Sequence, residues 1–177
     1  MEKFNSELYQ EKYKIKSIRL QNWDYSWPGY YFITICTKDK QCYFGDVIDD
    51  KMILNELGYI VKQCWRDLPN YYNNCKLDSF IIMPNHVHGI IQINYSNVEM
   101  GFKPVSTGKI KRYPLSEIIR GFKTFLSRKI NLNDSNINFK WQKSYYDHIV
   151  RGEDDLNRIR NYIQNNPLNW YRDRNYL

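Results

Sequence analysis

Apolar and polar positions alternate over Tyr30-Tyr31-Phe32-Ile33-Thr34-Ile35-Cys36-Thr37, a β-branched and aromatic run that predicts a strand behind the turn-rich cluster Trp23 to Gly29. A second apolar stretch, Leu77 to Ile93, is broken once at Pro84-Asn85. It predicts two strands, Leu77 to Met83 and His86 to Ile93, joined by a tight hairpin. Between them, from the capping-type residue Asn55, apolar side chains recur at Leu57, Ile60, Val61, Cys64, Trp65 and Leu68. That spacing predicts an amphipathic helix ended by Pro69. Gln41 to Leu54 reads as a small peripheral hairpin across Asp49-Asp50.

Residues 95–114 carry Gly101, Pro104, Gly108 and Pro114 with few apolar positions, and predict a mobile basic loop. A second helix follows from Ser116, with a buried stripe of Ile118, Ile119, Phe122, Phe125, Leu126 and Ile130 and with Arg120, Lys123, Arg128 and Lys129 around its edge. Trp141 to Val150 predicts another strand, and a last helix runs from Glu153 or Asp154 to about Asn165. The order βαββαβ, then a helix, predicts an α+β fold: a ferredoxin-like antiparallel sheet with both crossover helices on one face.

Within this frame His86 and His88 stand one residue apart on a strand, so their imidazoles project from one face while Val87 goes to the other. Two adjacent neutral imidazoles make a bidentate site for a divalent metal. In the last helix Leu156, Ile159 and Ile163 mark the buried stripe. At about 100° per residue, Tyr162 lies a quarter turn from its centre, with Asn166 between. Tyr162 can lean over the sheet, and an amide oxygen one turn on can complete a His-His-Asn site. Such a metal polarises a phosphodiester, and a phenol, pKa about 10, becomes a useful nucleophile beside it.

At 177 residues the chain is long enough for one domain and short for two. A net charge of +7 favours a polyanionic partner, and 16 Tyr, 8 Phe and 5 Trp supply rings on which nucleobases stack. Residues 1–21 form a basic N-terminal arm, readable as a phosphate-tracking segment or a solvated terminus. Cys36, Cys42, Cys64 and Cys75 contain no C-x-x-C, which excludes a zinc-finger pattern. No apolar run approaches the roughly 20 residues a bilayer requires, so the expectation is a cytosolic protein with reduced thiols and no membrane partner.

Several stretches together resemble the REP-associated tyrosine transposases, a branch of the single-tyrosine HUH transposases: Ser17-Ile18-Arg19-Leu20, Tyr31 to Thr37, Met83-Pro84-Asn85-His86-Val87-His88-Gly89, Arg120-Gly121-Phe122-Lys123, Trp141 to His148 and Tyr162-Ile163-Gln164-Asn165-Asn166-Pro167. The resemblance implies a domain that cuts and rejoins single-stranded DNA beside hairpins in transposition. It places His86 and His88 in the HUH motif, Tyr162 as nucleophile and Asn166 as metal-binding amide. Mg²⁺ or Mn²⁺ would be the cofactor, and cleavage would leave a 5′-phosphotyrosine and a free 3′-hydroxyl. Lys14, Lys16 and Arg19 in the arm, with Arg120 and Lys123, are the candidate DNA contacts. His148 lies outside the HUH pair, as a support for the site, a DNA contact or a structural residue. Two other functions remain open: a single-stranded nucleic-acid binding module without chemistry, and a metal-dependent phosphodiesterase using water. Monomer and homodimer are both open.

Overall fold

The computed structural model describes residues 23–94, 112–134, 136–173 and 175–176. The basic arm with Lys14, Lys16 and Arg19, and all of the predicted loop but residues 112–114, lie outside them. Four strands form the main sheet: β1 (Gly29–Cys36), β4 (Cys75–Met83), β5 (His86–Ile93) and β6 (Tyr146–Ile149). Their order is β4-β5-β1-β6 and each neighbouring pair is antiparallel. This is the ferredoxin-like α+β arrangement that the order of apolar segments predicts. The small hairpin β2 (Gly45–Ile48) and β3 (Lys51–Leu54) stands apart from it. Asp49 and Asp50 both take positive φ at its turn, the geometry that lets two residues reverse twisted strands.

Helices α1 (Glu56–Arg66) and α3 (Leu115–Asn133) cover one face of the sheet. Asn55 caps α1 through its side chain, which accepts from the Gly58 N–H. Tyr31, Ile33, Ile35, Val87 and Ile91 point into this layer, with Val61, Trp65, Ile118 and Phe122 facing them. Trp65 sits directly over Gly89, where an added Cβ would collide with Trp65 Cζ2. The opposite face receives α4 (Gly152–Gln164): Leu156, Ile159 and Ile163 pack on Phe32 and Ile90. At about 1.5–3 kcal/mol per buried aliphatic side chain, those three hold α4 against the strands that carry the histidines.

Three details depart from the sequence pattern. Pro69 does not simply end a helix; it occupies the second position of a short helix, α2 (Leu68–Tyr71), where a missing N–H costs nothing. Phe125 is 51% exposed rather than buried, lying against Tyr71 with Lys129 Nζ 6.0 Å from its ring centroid. The predicted strand Trp141 to Val150 shrinks to β6, and Trp141 keeps only an isolated bridge to Thr37. The reason is local satisfaction: Lys123 Nζ donates to the carbonyls of Gln142, Lys143 and Ser144, so this segment needs no strand partner.

Candidate active site

The register of β1 against β5 pairs Thr34 with His88 and Cys36 with His86, placing both imidazoles on the α4 face. Both rings are fully buried, with centroids 4.4 Å apart. Each is oriented through Nδ1: His86 by Asn85 Oδ1 at 2.8 Å, His88 by Thr34 Oγ1 at 2.8 Å. Asn85 is itself oriented, because its Nδ2 donates to the carbonyls of Lys40 and Asn175. Its oxygen therefore faces His86, so Nδ1 carries the proton and the neutral ring keeps its lone pair on Nε2. Asn85 is thus more than a turn residue. It is the support that fixes a ligand's tautomer.

Tyr162 projects from α4 over the pair. Its hydroxyl lies 3.2 Å from His88 Nε2 and donates to Asp173 Oδ2 at 3.3 Å, while the side chain stays 41% exposed. Phe32 braces the ring edge-on at 6.0 Å. Asn166 keeps helical φ/ψ although a proline follows, because the chain runs from α4 into a 3₁₀ helix, Pro167–Arg172. Its N–H bonds Ile163 O and its carbonyl accepts from Asn169 N. The buried Asn166 amide donates from Nδ2 to Asp173 Oδ2 at 3.0 Å, and Oδ1 is buried with no hydrogen-bond partner among the described residues.

Asp173 is the residue that the sequence pattern did not single out. The 3₁₀ helix, anchored by Trp170 against His86, delivers its carboxylate to the histidines. Oδ1 accepts from the Asn175 N–H at 2.6 Å, and Oδ2 lies 4.0 Å from His88 Nε2. Burial alone would raise this carboxyl, but the neighbouring His88 imidazole and the hydrogen bonds donated by the Asn175 N–H and Asn166 Nδ2 hold it well below the usual carboxylate range. Ligand atoms of His86, His88 and Asp173 all lie within 4.8 Å of one another, a His-His-Asp cluster that can bind a metal. One signal in the sequence points to it: Asp173 is the only acidic residue after Asp155.

The remaining candidates lie elsewhere. Lys123 is committed to three carbonyls, and burial lowers its pKa; Arg120 is exposed on the same helix, α3, across the sheet from the histidines. His148 on β6 bonds Asp155 rather than the cluster, at 2.8 Å. It borders a cleft of about 620 Å³ that runs beside Tyr162. Among the described residues no helix is long and apolar enough to cross a membrane.

No family model matches the chain. It is 39% identical over 181 residues to an uncharacterized protein of Haemophilus influenzae, covering 99% of this chain and 98% of that one. It is 25% identical over 148 residues to a second Haemophilus influenzae protein, described as a “Putative REP-associated tyrosine transposase”, covering 82% of this chain and 73% of the other. In fold it resembles a solved REP-associated tyrosine transposase bound to a REP hairpin, with a TM-score of 0.56 at 15% identity over 88% of this chain and 74% of that one.

Proposed function

We propose that this chain is a REP-associated tyrosine transposase, a reading supported by its likeness to a putative member, and that its 177 residues act as one HUH domain that cuts and rejoins single-stranded DNA beside hairpins, with Tyr162 as nucleophile. The observation that carries this reading is the Tyr162 hydroxyl 3.2 Å from His88 Nε2, at the mouth of a buried cluster of metal-binding side chains. A tyrosine packed only for its apolar ring has no need of that placement. The hairpin held by the structural neighbour supports the substrate class.

The donor set fits a divalent ion. Two imidazole nitrogens, the Asp173 carboxylate and the buried Asn166 Oδ1 would hold Mg²⁺ or Mn²⁺, and the mixed nitrogen and oxygen donors suit Mn²⁺ well. Such an ion supplies Lewis-acid polarisation of the phosphodiester. The protein does the rest. Asn85 holds the His86 tautomer, Thr34 orients the His88 ring, and Asp173 Oδ2 accepts the phenolic O–H and aims Tyr162. Tyr162 Oη then releases its proton to solvent and attacks phosphorus, and the bond from phosphorus to the 3′-oxygen breaks. That oxygen leaves as a 3′-hydroxyl after taking up a proton, and the 5′-phosphate stays on the tyrosine. Attack by a 3′-hydroxyl reverses the step and frees Tyr162.

The test is incubation of the protein with labelled single-stranded hairpin oligonucleotides from its own genomic neighbourhood, with Mg²⁺ or Mn²⁺, resolved on denaturing gels beside Tyr162→Phe. The expected result is a metal-dependent, denaturation-resistant protein–DNA adduct absent in the variant. Cleavage that persists in Tyr162→Phe would make water the nucleophile. Binding without cleavage under both metals would make the protein a binding module.

A further inference from the structure

Beside the nucleophile, and on the side of β6 rather than of the histidines, lies the 620 Å³ cleft. Its volume is within the range of sites that enclose small ligands. Its walls are of two kinds. Phe32, Ile159 and the ring of Tyr146 are apolar, while Arg158 and Arg172 add two cationic residues to the lining. Aromatic rings joined to cations are the combination that holds unpaired nucleotides, the base on the ring and the phosphate on the charge.

The two arginines are not equivalent. Arg158 donates to Asp155, whose carboxylate also accepts from the Arg151 N–H and pairs with His148 Nε2. That charge is already compensated. Arg172 has no ion pair or hydrogen bond among the described residues, and it lines the cleft one residue before Asp173. The carboxylate of Asp173 turns away toward His88 and Asn166. Tyr146 is 36% exposed and is held edge-on by Phe32 at 6.3 Å. The same Phe32 ring braces Tyr162 at 6.0 Å, so a single side chain stands between the partly exposed Tyr146 ring and the nucleophile.

We propose that this cleft is the subsite for one unpaired nucleotide next to the phosphodiester that Tyr162 attacks, with Tyr146 stacking on its base and Arg172 pairing with a phosphate. The inference rests on the transesterase reading for its location, but its test does not require cleavage. The Tyr162→Phe protein is titrated, by fluorescence anisotropy, into a labelled hairpin oligonucleotide bearing a short single-stranded flank. In that background Tyr146→Leu weakens binding about tenfold, while Tyr146→Phe, which keeps the ring, does not. An abasic site moved along the flank abolishes the Tyr146→Leu effect at one position only. Arg172→Ala lowers the slope of log affinity against log salt by about 0.7, the loss of one single-strand phosphate contact.

Unchanged Mn²⁺ affinity in all three variants shows that the site has folded. Leu and Phe variants that bind alike, an abasic effect that is uniform along the flank, or an unaltered salt slope would overturn the subsite. The two proposals fail separately. An adduct on Tyr162 together with a null result here removes only the subsite, whereas a positional stacking effect without any adduct leaves a nucleotide site on a binding protein.

Discussion

Asn166 Nδ2 and Asp173 Oδ2 lie 3.0 Å apart, so the amide and the carboxylate reach the histidines as one unit. Only Asp173 brings negative charge to the cluster. Asp173→Asn therefore weakens Mn²⁺ binding about 10–100-fold, the scale on which even the outer supports of metal sites act. Isothermal titration without DNA measures it. Equal affinity in the variant would leave Asp173 as a mere hydrogen-bond partner of Tyr162.

Arg160 grips Asp78 with both arms of its guanidinium, at 2.9 and 2.6 Å, two residues before Tyr162. This fork fixes α4 to β4 beside the irregularity between Leu77 and Phe80. Arg160→Lys keeps the charge but loses the fork. The rate of adduct formation should fall several-fold while Mn²⁺ affinity stays constant, and Asp78→Arg combined with Arg160→Asp should recover part of it.

Gly89 lies under Trp65, which is fully buried and also packs on Phe80 and Phe122. Gly89→Ala forces the indole or the strand to move and should cost about 1–3 kcal/mol, read by urea denaturation. Because Gly89 follows His88, a shift of the strand rather than of the indole would also lower Mn²⁺ affinity.

Asp155 titrates at about 2 in the folded protein, held down first by the hydrogen bond from His148 and then by the Arg151 N–H. A folded pKa below the unfolded value near 4 means a stabilising contribution present above about pH 4 and lost as pH falls toward 2. The difference in unfolding free energy between the protein and Asp155→Asn should shrink over that window. A difference that does not change with pH would remove the carboxylate's charge from the explanation.

The layout of the fold was legible in periodicity. Alternation marked β1, the break at Pro84-Asn85 marked the β4–β5 hairpin, and the i, i+3, i+4 stripes marked α1, α3 and α4. Period-two geometry alone set His86 and His88 side by side, and period-3.6 geometry put Tyr162 at the edge of the core stripe. Patterns of this kind are written into neighbouring residues, because the backbone's own repeat decides which side chains share a face.

What periodicity could not carry lies between positions distant in the chain. Nothing near Asp173 announces that the Pro167–Arg172 turn will swing it onto His88, nor that Asn85 will be clamped by the carbonyls of Lys40 and Asn175. The strand predicted through Trp141 was lost to a lysine on another element, and Phe125 was left in solvent beside Tyr71. The local repeat establishes which residues can face the site. Which of them complete it depends on how elements pack, since hydrogen bonds and charge act through space without regard to order along the chain.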